Sequence, residues 1–312
     1  MNILVIDFYA QISSNKKKTY LLFLAFFLLI GILSAGISIA LGGISIYSGF
    51  YFTIFGFLIV VFALVSYFTC DSVVTFISGA KEADKAQFKQ LYNIVEEMAI
   101  ASGLPMPRVF LINDTAINAF ATGRDPKHAV ICLTTGALTR LNRDQIQGVV
   151  AHELSHIKNF DIRTMTIATI LVGISVMLSD FLLRFALHGF GRNSDSKDMR
   201  FTALILVLAI VLAIFTPLIA EVIKLSISRK REYMADASAI EMTRNPEGLA
   251  GALEVISKDI EPLEAANKAT AHMYISDPLK NTKGMWFKGM FATHPPVEDR
   301  ISILRGQKQA PL

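Results

Sequence analysis

The chain has 312 residues, of which 53% are hydrophobic and 18% are charged, and its mean hydropathy is +0.47. This composition is too apolar for an ordinary soluble domain and predicts an integral membrane protein. The formal net charge of +4 comes from basic residues that flank apolar segments. Because no basic groove or aromatic-interleaved pattern accompanies them, a nucleic-acid partner is not expected.

Four apolar segments are long enough to cross a lipid bilayer, where about 20 helical residues match roughly 30 Å of hydrocarbon. They follow a cytoplasmic N-terminus (1–19) and cover residues 20–41, 51–70, 164–187 and 201–222. The third is interrupted by Asp180 and Arg184, whose i, i+4 spacing lets them pair on one helix face. The first is too long for the apolar part of a signal peptide, so we expect it to remain as an anchor.

The positions of lysine and arginine predict which parts of the chain face the cytoplasm, because positively charged flanks are retained there. Lysines precede the first span, whereas the loop 42–50 after it carries no charge and is expected outside. Basic residues also flank the segments 71–163 and 223–312, which are expected inside. The loop between the third and fourth spans is partly basic, so the rule holds as a bias. The chain is therefore predicted to be a multi-pass protein of the cell membrane.

The segment 71–163 has the pattern of a small α+β unit. A charged amphipathic helix is predicted over residues 81–103, and Gly103 supplies its stop. Three β-favouring runs with a turn cluster between them indicate a small sheet with at least one hairpin: RVFLIN, INAFATG and HAVICLT. Asn142 and Gln145 have the spacing of a capping box, which predicts the start of the next helix.

Beyond the fourth span, two helices are predicted over residues 229–242 and 246–259, and a short terminal helix follows the stretch FATHPP. The predicted fold class is mainly α, a four-span helical membrane protein with a small α+β cytoplasmic domain. Cys70 and Cys132 lack the spacing of metal ligands and are expected to be small buried hydrophobes. No pattern in the sequence predicts an oligomeric state.

The stretch VVAHELSHIKNF places two histidines four residues apart on a predicted helix. Residues i and i+4 lie on the same helix face, so His152 and His156 can both present imidazole nitrogens to one ion. Glu153 is offset by one position, where it can take a proton from a water at the metal, as in HExxH zinc hydrolases. The alternative is a chance match, to which ordinary residue frequencies assign a probability on the order of 1%.

A catalytic zinc ion needs a third protein ligand and an open position for water. The chain has Asn159 and Ile162 where a metzincin continuation would have glycine and histidine. The best candidate for the third ligand is Glu232, which lies on a predicted helix at the same membrane face, and Asp236 one turn later can accept a hydrogen bond from a ligand histidine. The alternative is a solvated Glu232 that neutralises neighbouring arginines. If His156 and Glu232 bind one ion, the chain between them crosses the membrane an even number of times.

These motifs, in this order, resemble the HtpX-type membrane zinc metalloproteases, relatives of the type 1 CAAX prenyl proteases in the gluzincin group. The likeness runs through nearly the whole chain, from the paired N-terminal spans through NAFATG, AHELSHIKNFD and REYMADASA to THPP. It implies one Zn²⁺ ion held by His152, His156 and Glu232, with Glu153 as general base. It also implies that the cytoplasmic segments form a zinc-metalloprotease domain acting on misfolded or damaged membrane proteins in quality control under stress.

The resemblance implies roles for three further residues. Asn118 in NAF matches an edge-strand asparagine that holds the substrate backbone, and its alternative role is that of a turn or strand-end asparagine. His294 in THPP matches a histidine that stabilises the tetrahedral oxyanion, with Arg300 as a supporting residue, whereas its alternative role is to cap the proline-containing turn. Such groups suit peptide hydrolysis, in which negative charge develops on the carbonyl oxygen.

The expected function is therefore the zinc-dependent hydrolysis of peptide bonds, with the substrate extended along the INAFATG strand. One alternative is a non-enzymatic membrane protein with a structural or sensory zinc site, which would need a closed coordination sphere that no Cys/His set offers. Another is a transporter, which would place functional charges in mid-span. The nearest charges, Asp180, Arg184 and Glu221, lie towards the ends of the predicted spans.

Overall fold

The computed structural model of the chain describes residues 46–167, 229–266, 270, 273–276, 278 and 295–308, with single positions within 17–28 and 180–211. The chain divides into two units. One contains helix α1 (Ile46–Phe68), and the other contains residues 69–167 and the described part of 224–312. Most of the predicted spans 20–41, 164–187 and 201–222 lies outside the described residues, as does His294.

Helix α1 covers most of the predicted second span, 51–70. Counted over the residues that the structure describes, no helix is both long enough and apolar enough to cross a membrane. The chain is mainly helical with a small sheet, as predicted, and the four spans stay a prediction.

The second unit is built on a mixed sheet with four strands among the described residues. These are β1 (Lys81–Glu82), β2 (Arg108–Ile112), β3 (Ala119–Thr122) and β4 (Val130–Thr134), in the order β1-β2-β4-β3. Strands β2 and β4 are parallel, and the other neighbouring pairs are antiparallel. The predicted hairpin is formed by β3 and β4, which are joined through a 3-10 turn capped by the Asp125 carboxylate. In the order of the described strands, β3 lies at one edge of the sheet.

The helix predicted over residues 81–103 is wrong in its first part. Lys81 and Glu82 pair with β2, and the N–H of Ala83 donates to the carbonyl of Val109 at 2.9 Å. Asp84 then caps a turn by accepting from the N–H of Ala86 at 2.7 Å. Local charge pattern favours a helix here, but pairing with a strand distant in sequence prevails, so the helix begins only at residue 89.

Among its described residues this unit has seven α-helices: α2 (Cys70–Ile77), α3 (Lys89–Ser102), α4 (Thr135–Arg140), α5 (Arg143–Lys158), α6 (Arg229–Thr243), α7 (Pro246–Lys258) and α8 (Val297–Leu304). The predicted break between α6 and α7 is confirmed, because the Asn245 side chain caps α7 by accepting from the N–H of Gly248. Cys70 and Cys132 are buried free thiols, as predicted.

Helix α5 lies at the centre of the unit and packs against α3, α6, α7 and strand β3. The predicted capping box begins it: Asn142 accepts from the N–H of Gln145, and Gln145 Oε1 accepts from the N–H of Asn142, both at 2.9 Å. Its predicted apolar face is buried throughout, at Ile146, Val149, Val150, Leu154 and Ile157. The histidines of the motif are therefore carried by a helix that is fixed on several sides.

Candidate metal centre

His152 and His156 lie one turn apart on α5 and are both buried. Their Nε2 atoms are 3.3 Å apart. The i, i+4 spacing predicts this convergence, and the packing around α5 holds the two rings in a dry environment.

Glu232 on α6 completes a cluster with the two histidines. Its Oε2 lies 3.7 Å from Nε2 of His152, and its Oε1 lies 3.8 Å from Nε2 of His156. Only 1% of the Glu232 side chain is exposed, so the alternative of a solvated glutamate is wrong. Helices α5 and α6, distant in sequence, bring these three residues together as candidates for holding a metal ion.

The spacing of the donor groups of these three residues can be compared with that around a tetrahedral ion. Zinc bonds of about 2.0 to 2.1 Å place neighbouring donors about 3.3 to 3.4 Å apart. The two Nε2 atoms are 3.3 Å apart, and each lies 3.7 or 3.8 Å from a different oxygen of Glu232, which is close to this spacing. Two imidazole nitrogens and a carboxylate oxygen also form a donor set that zinc favours. The residues present therefore fit such an ion.

Asp236 and Arg300, both predicted near the site, continue the contacts of His152 away from the cluster. Nδ1 of His152 lies 3.0 Å from Oδ1 of Asp236. The Arg300 guanidinium donates to both Asp236 oxygens, at 2.8 and 2.6 Å. Both residues are buried, so α8 contributes an internal ion pair to the environment of His152.

Sequence reasoning missed a second set of contacts, on His156. Nδ1 of His156 lies 3.0 Å from Oδ2 of Asp161, and the Arg231 guanidinium lies 3.2 Å from Oδ1 of the same carboxylate. In the sequence, Arg231 is one of several basic residues that follow the predicted fourth span. The sequence carries one signal for this contact: an acidic residue, Asp161, follows His156 after only five positions.

The two histidines differ in their acid–base properties without a metal. Burial lowers the pKa of His152 to about 4, against the opposing effect of the Asp236 carboxylate, which favours the protonated ring. Burial also disfavours the charged form of His156, but the hydrogen bond to Asp161 and the nearby carboxylates outweigh it and raise its pKa to about 9. A metal that binds both rings must therefore displace a proton from His156 near neutral pH.

Glu153 is the residue next to His152 on α5 and is buried. One position further along the helix than His152, it is offset from the face that carries both histidines, as the helical period predicts.

Asn118 lies just before the edge strand β3, which packs against α5. Its Nδ2 donates to the carbonyl of Ser276 at 3.3 Å, and its Oδ1 accepts from the N–H of Ala119 at 3.1 Å. The N–H of Ile275 donates to the carbonyl of Ala119 at 2.9 Å. In this structure Asn118 therefore holds the chain's own backbone, and its predicted role towards a substrate stays a prediction.

The comparisons with known proteins agree with these motifs. The family model described as Peptidase family M48 matches residues 85–308. The "Protease HtpX homolog" of Dictyoglomus turgidum is 40% identical over 301 residues, which cover 96% of this chain and 94% of its own. The "Protease HtpX homolog" of Ligilactobacillus salivarius is 42% identical over 297 residues, covering 95% and 98%.

A search of solved structures finds the crystal structure of S. mikatae Ste24p, with a TM-score of 0.46 and 20% sequence identity. The match covers 80% of this chain and spans 57% of the length of that one. The family match covers every element that bears the cluster, from α5 to α8. The chain therefore belongs to peptidase family M48 and is a metallopeptidase.

Proposed function

We propose that the chain is a membrane-integrated, zinc-dependent endopeptidase whose site faces the cytoplasm. The observation that carries this proposal is the meeting of three buried donor side chains from two helices, with closest nitrogen and oxygen separations of 3.3 to 3.8 Å. Among the described residues, the cluster has three donor residues. Three protein ligands leave a fourth position open, which favours a catalytic ion over a structural one.

His152, His156 and Glu232 would hold the ion, and Glu153 would move the proton. Zinc, when bound, supplies Lewis acidity that polarises a peptide carbonyl and lowers the pKa of water. Glu153 adjoins the ligand pair on α5 and is buried, so its carboxylate is kept out of bulk water. It takes the proton of the attacking water and passes it to the leaving amine, which makes it both general base and general acid.

The substrate backbone is proposed to lie along the outer edge of β3, where strand addition reads backbone more than side chains. The carbonyl of Asn118 accepts from the N–H of Thr134, so this residue's backbone faces β4. Because backbone groups alternate along a strand, those of Ala119 and Ala121 face the outer edge, where the Ala119 carbonyl accepts from the N–H of Ile275. Asn118 would hold the substrate by exchanging its present partner, Ser276, for the incoming chain.

His294 and Arg300 are proposed to act on the negative charge that develops in the transition state. The family resemblance supports a direct role for His294 as a hydrogen-bond donor. Arg300 is bonded to Asp236, which contacts His152. Its support is therefore proposed to be indirect, through the position of that ligand.

The four apolar segments are proposed to cross the cell membrane, with 71–163 and 223–312 forming one cytoplasmic catalytic domain. The composition and the distribution of basic residues support this arrangement. Misfolded or damaged membrane proteins are the proposed substrates, in quality control under stress. A strand edge that binds the substrate backbone suits such substrates, because they share no sequence.

The test uses the purified full-length protein in detergent, with zinc content and cleavage of an unfolded protein measured together. The wild type should bind one zinc ion and show chelator-sensitive cleavage. Glu153→Gln should keep the metal and lose activity, whereas Glu232→Ala should lose both. Glu241→Ala removes an exposed glutamate from the same helix α6 and should change neither. Undiminished cleavage by Glu153→Gln would overturn the mechanism.

A further inference from the structure

Resting on the zinc site proposed above, we infer that Asp161 and Arg231 form a positioning pair for the ligand His156. Asp161 holds Nδ1 of His156 at 3.0 Å, which leaves Nε2 directed at the cluster with His152 and Glu232. A histidine that binds metal through one nitrogen is oriented, and its tautomer fixed, by the partner of the other nitrogen. The Asp161 carboxylate is such a partner.

A turn in the backbone makes this contact possible. Five residues along a straight helix, the step from His156 to Asp161, rotate the side chain by about 140° and advance it by about 7.5 Å. Helix α5 instead ends at Lys158, and Phe160 adopts a left-handed conformation with φ of 59°. Non-glycine residues rarely adopt this conformation because it is sterically unfavourable. The contacts of the folded protein must therefore stabilise the turn. It folds Asp161 back onto His156.

Arg231 fixes the other side of the carboxylate. Its guanidinium lies 3.2 Å from Oδ1 of Asp161, and the exposed fractions of the two side chains are only 4% and 1%. A charge buried to this extent needs a partner, and here each supplies the other. Arg231 also directly precedes Glu232 in the sequence, so the ion pair links the helix of the third ligand to the turn after the first two.

The contacts of His156 match those of His152. His152 contacts Asp236, which is bonded to Arg300, and His156 contacts Asp161, which is paired with Arg231. The two arginines come from different helices, α8 and α6. Each ligand histidine thus contacts a different buried carboxylate, and each carboxylate is paired with a different arginine. Asp161 has the same position relative to His156 as Asp236 has relative to His152.

The experiment compares Asp161→Asn with Asp259→Asn in the full-length protein. Asp259 is also a buried carboxylate, which accepts from Arg140 at 2.9 Å and from the N–H of Ile117 at 2.8 Å, and it contacts no residue of the cluster in these hydrogen bonds. Metal affinity is measured by chelator competition, the ligand geometry by the visible spectrum of the Co²⁺-loaded protein, and stability by thermal unfolding of the metal-free protein.

Asp161→Asn should weaken metal binding by about 10- to 100-fold and change the Co²⁺ spectrum. Asp259→Asn should lower the unfolding temperature and leave affinity and spectrum unchanged. Wild-type affinity and spectrum in Asp161→Asn would overturn the inference. Where Asp161→Asn does not fold, Arg231→Lys keeps the charge but not the fork of donors. It should weaken binding several-fold, and unchanged binding would count against the pair. If the wild type bound no metal ion, or bound one that did not depend on Glu232, the proposed zinc site itself would be overturned.

Discussion

Gly148 of α5 lies directly against the backbone of Leu249 at the start of α7. A Cβ atom on Gly148 would come within 2.6 Å of the Leu249 nitrogen and 2.8 Å of its Cα. The absence of a side chain at this position lets the helix that carries the HExxH motif pack backbone to backbone with its neighbour.

Gly148→Ala should therefore destabilise the protein, because the added methyl group would meet backbone atoms, which cannot move aside as a flexible side chain can. Overpacking of this kind costs about 1 to 3 kcal/mol. The temperature of thermal unfolding and the zinc content should both fall, because α5 must shift to relieve the contact. Gly251→Ala is the matched control: its Cβ would meet only the flexible end of Gln145 at 3.1 Å, so it should be tolerated. A stable Gly148→Ala variant with full metal content would show that α5 moves freely.

Arg300→Met should uncouple Asp236 from its counter-ion. The charge of Arg300, opposing burial, holds the pKa of Asp236 at about 2, and removing it leaves a buried carboxylate beside His152. Loss of one member of a buried pair costs about 3 to 5 kcal/mol. We expect lower stability and weaker metal binding, measured by unfolding and chelator competition. Arg305→Met, which breaks only exposed pairs with Glu247 and Glu254, should change little.

The free energy of unfolding should decrease in alkaline solution, and Cys132 should contribute to this decrease. Burial raises the pKa of its thiol above the unfolded value of about 8.5. The contribution is fully present below that value and is lost as pH rises, because the unfolded thiol ionises while the folded one keeps its proton. Urea unfolding at pH 7.5 to 10 should show this slope, at most about 1.4 kcal/mol per pH unit for one group. Cys132→Ala should reduce it, and an identical slope in that variant would exclude the thiol as its source.

The proposed topology makes the loop 42–50 external and the catalytic domain internal. A cysteine introduced by Ser45→Cys should react with a membrane-impermeant maleimide on intact cells. A cysteine introduced by Lys127→Cys, at an exposed site in the β3–β4 connection, should react only after permeabilisation. The native cysteines are buried and should contribute little background. The opposite labelling pattern would reverse the orientation.

What could be predicted from the sequence was mainly local. The pairing of His152 with His156 follows from the period of a helix, and the capping box at Asn142 from a three-residue spacing. Glu232 lies far from the histidines in sequence, and its assignment needed the order of motifs along the chain. The structure gives it a physical reason, since a buried glutamate between two imidazoles needs charge compensation.

What could not be predicted depends on contacts distant in sequence. The charges around Lys81 fit a helix, and only β2 makes that segment a strand. Asp161 lies on the wrong face of an ideal helix, so its contact with His156 depends on the left-handed turn at Phe160. Arg231 resembles any basic residue beside a membrane span until its partner is known.

The hydrogen bond from Ile275 to the carbonyl of Ala119 has a consequence for the length of a substrate. Ile275 belongs to the same chain as Ala119, so at the proposed substrate site it would act as an intramolecular competitor for this carbonyl. An incoming strand that uses this carbonyl has to outcompete it, and a single hydrogen bond contributes only about 0.5 to 1.5 kcal/mol. Short peptides would then bind weakly, whereas long unfolded segments could add further contacts along the edge at Ala121. By covering part of its own edge strand, the chain would thus discriminate by the length of exposed, extended polypeptide.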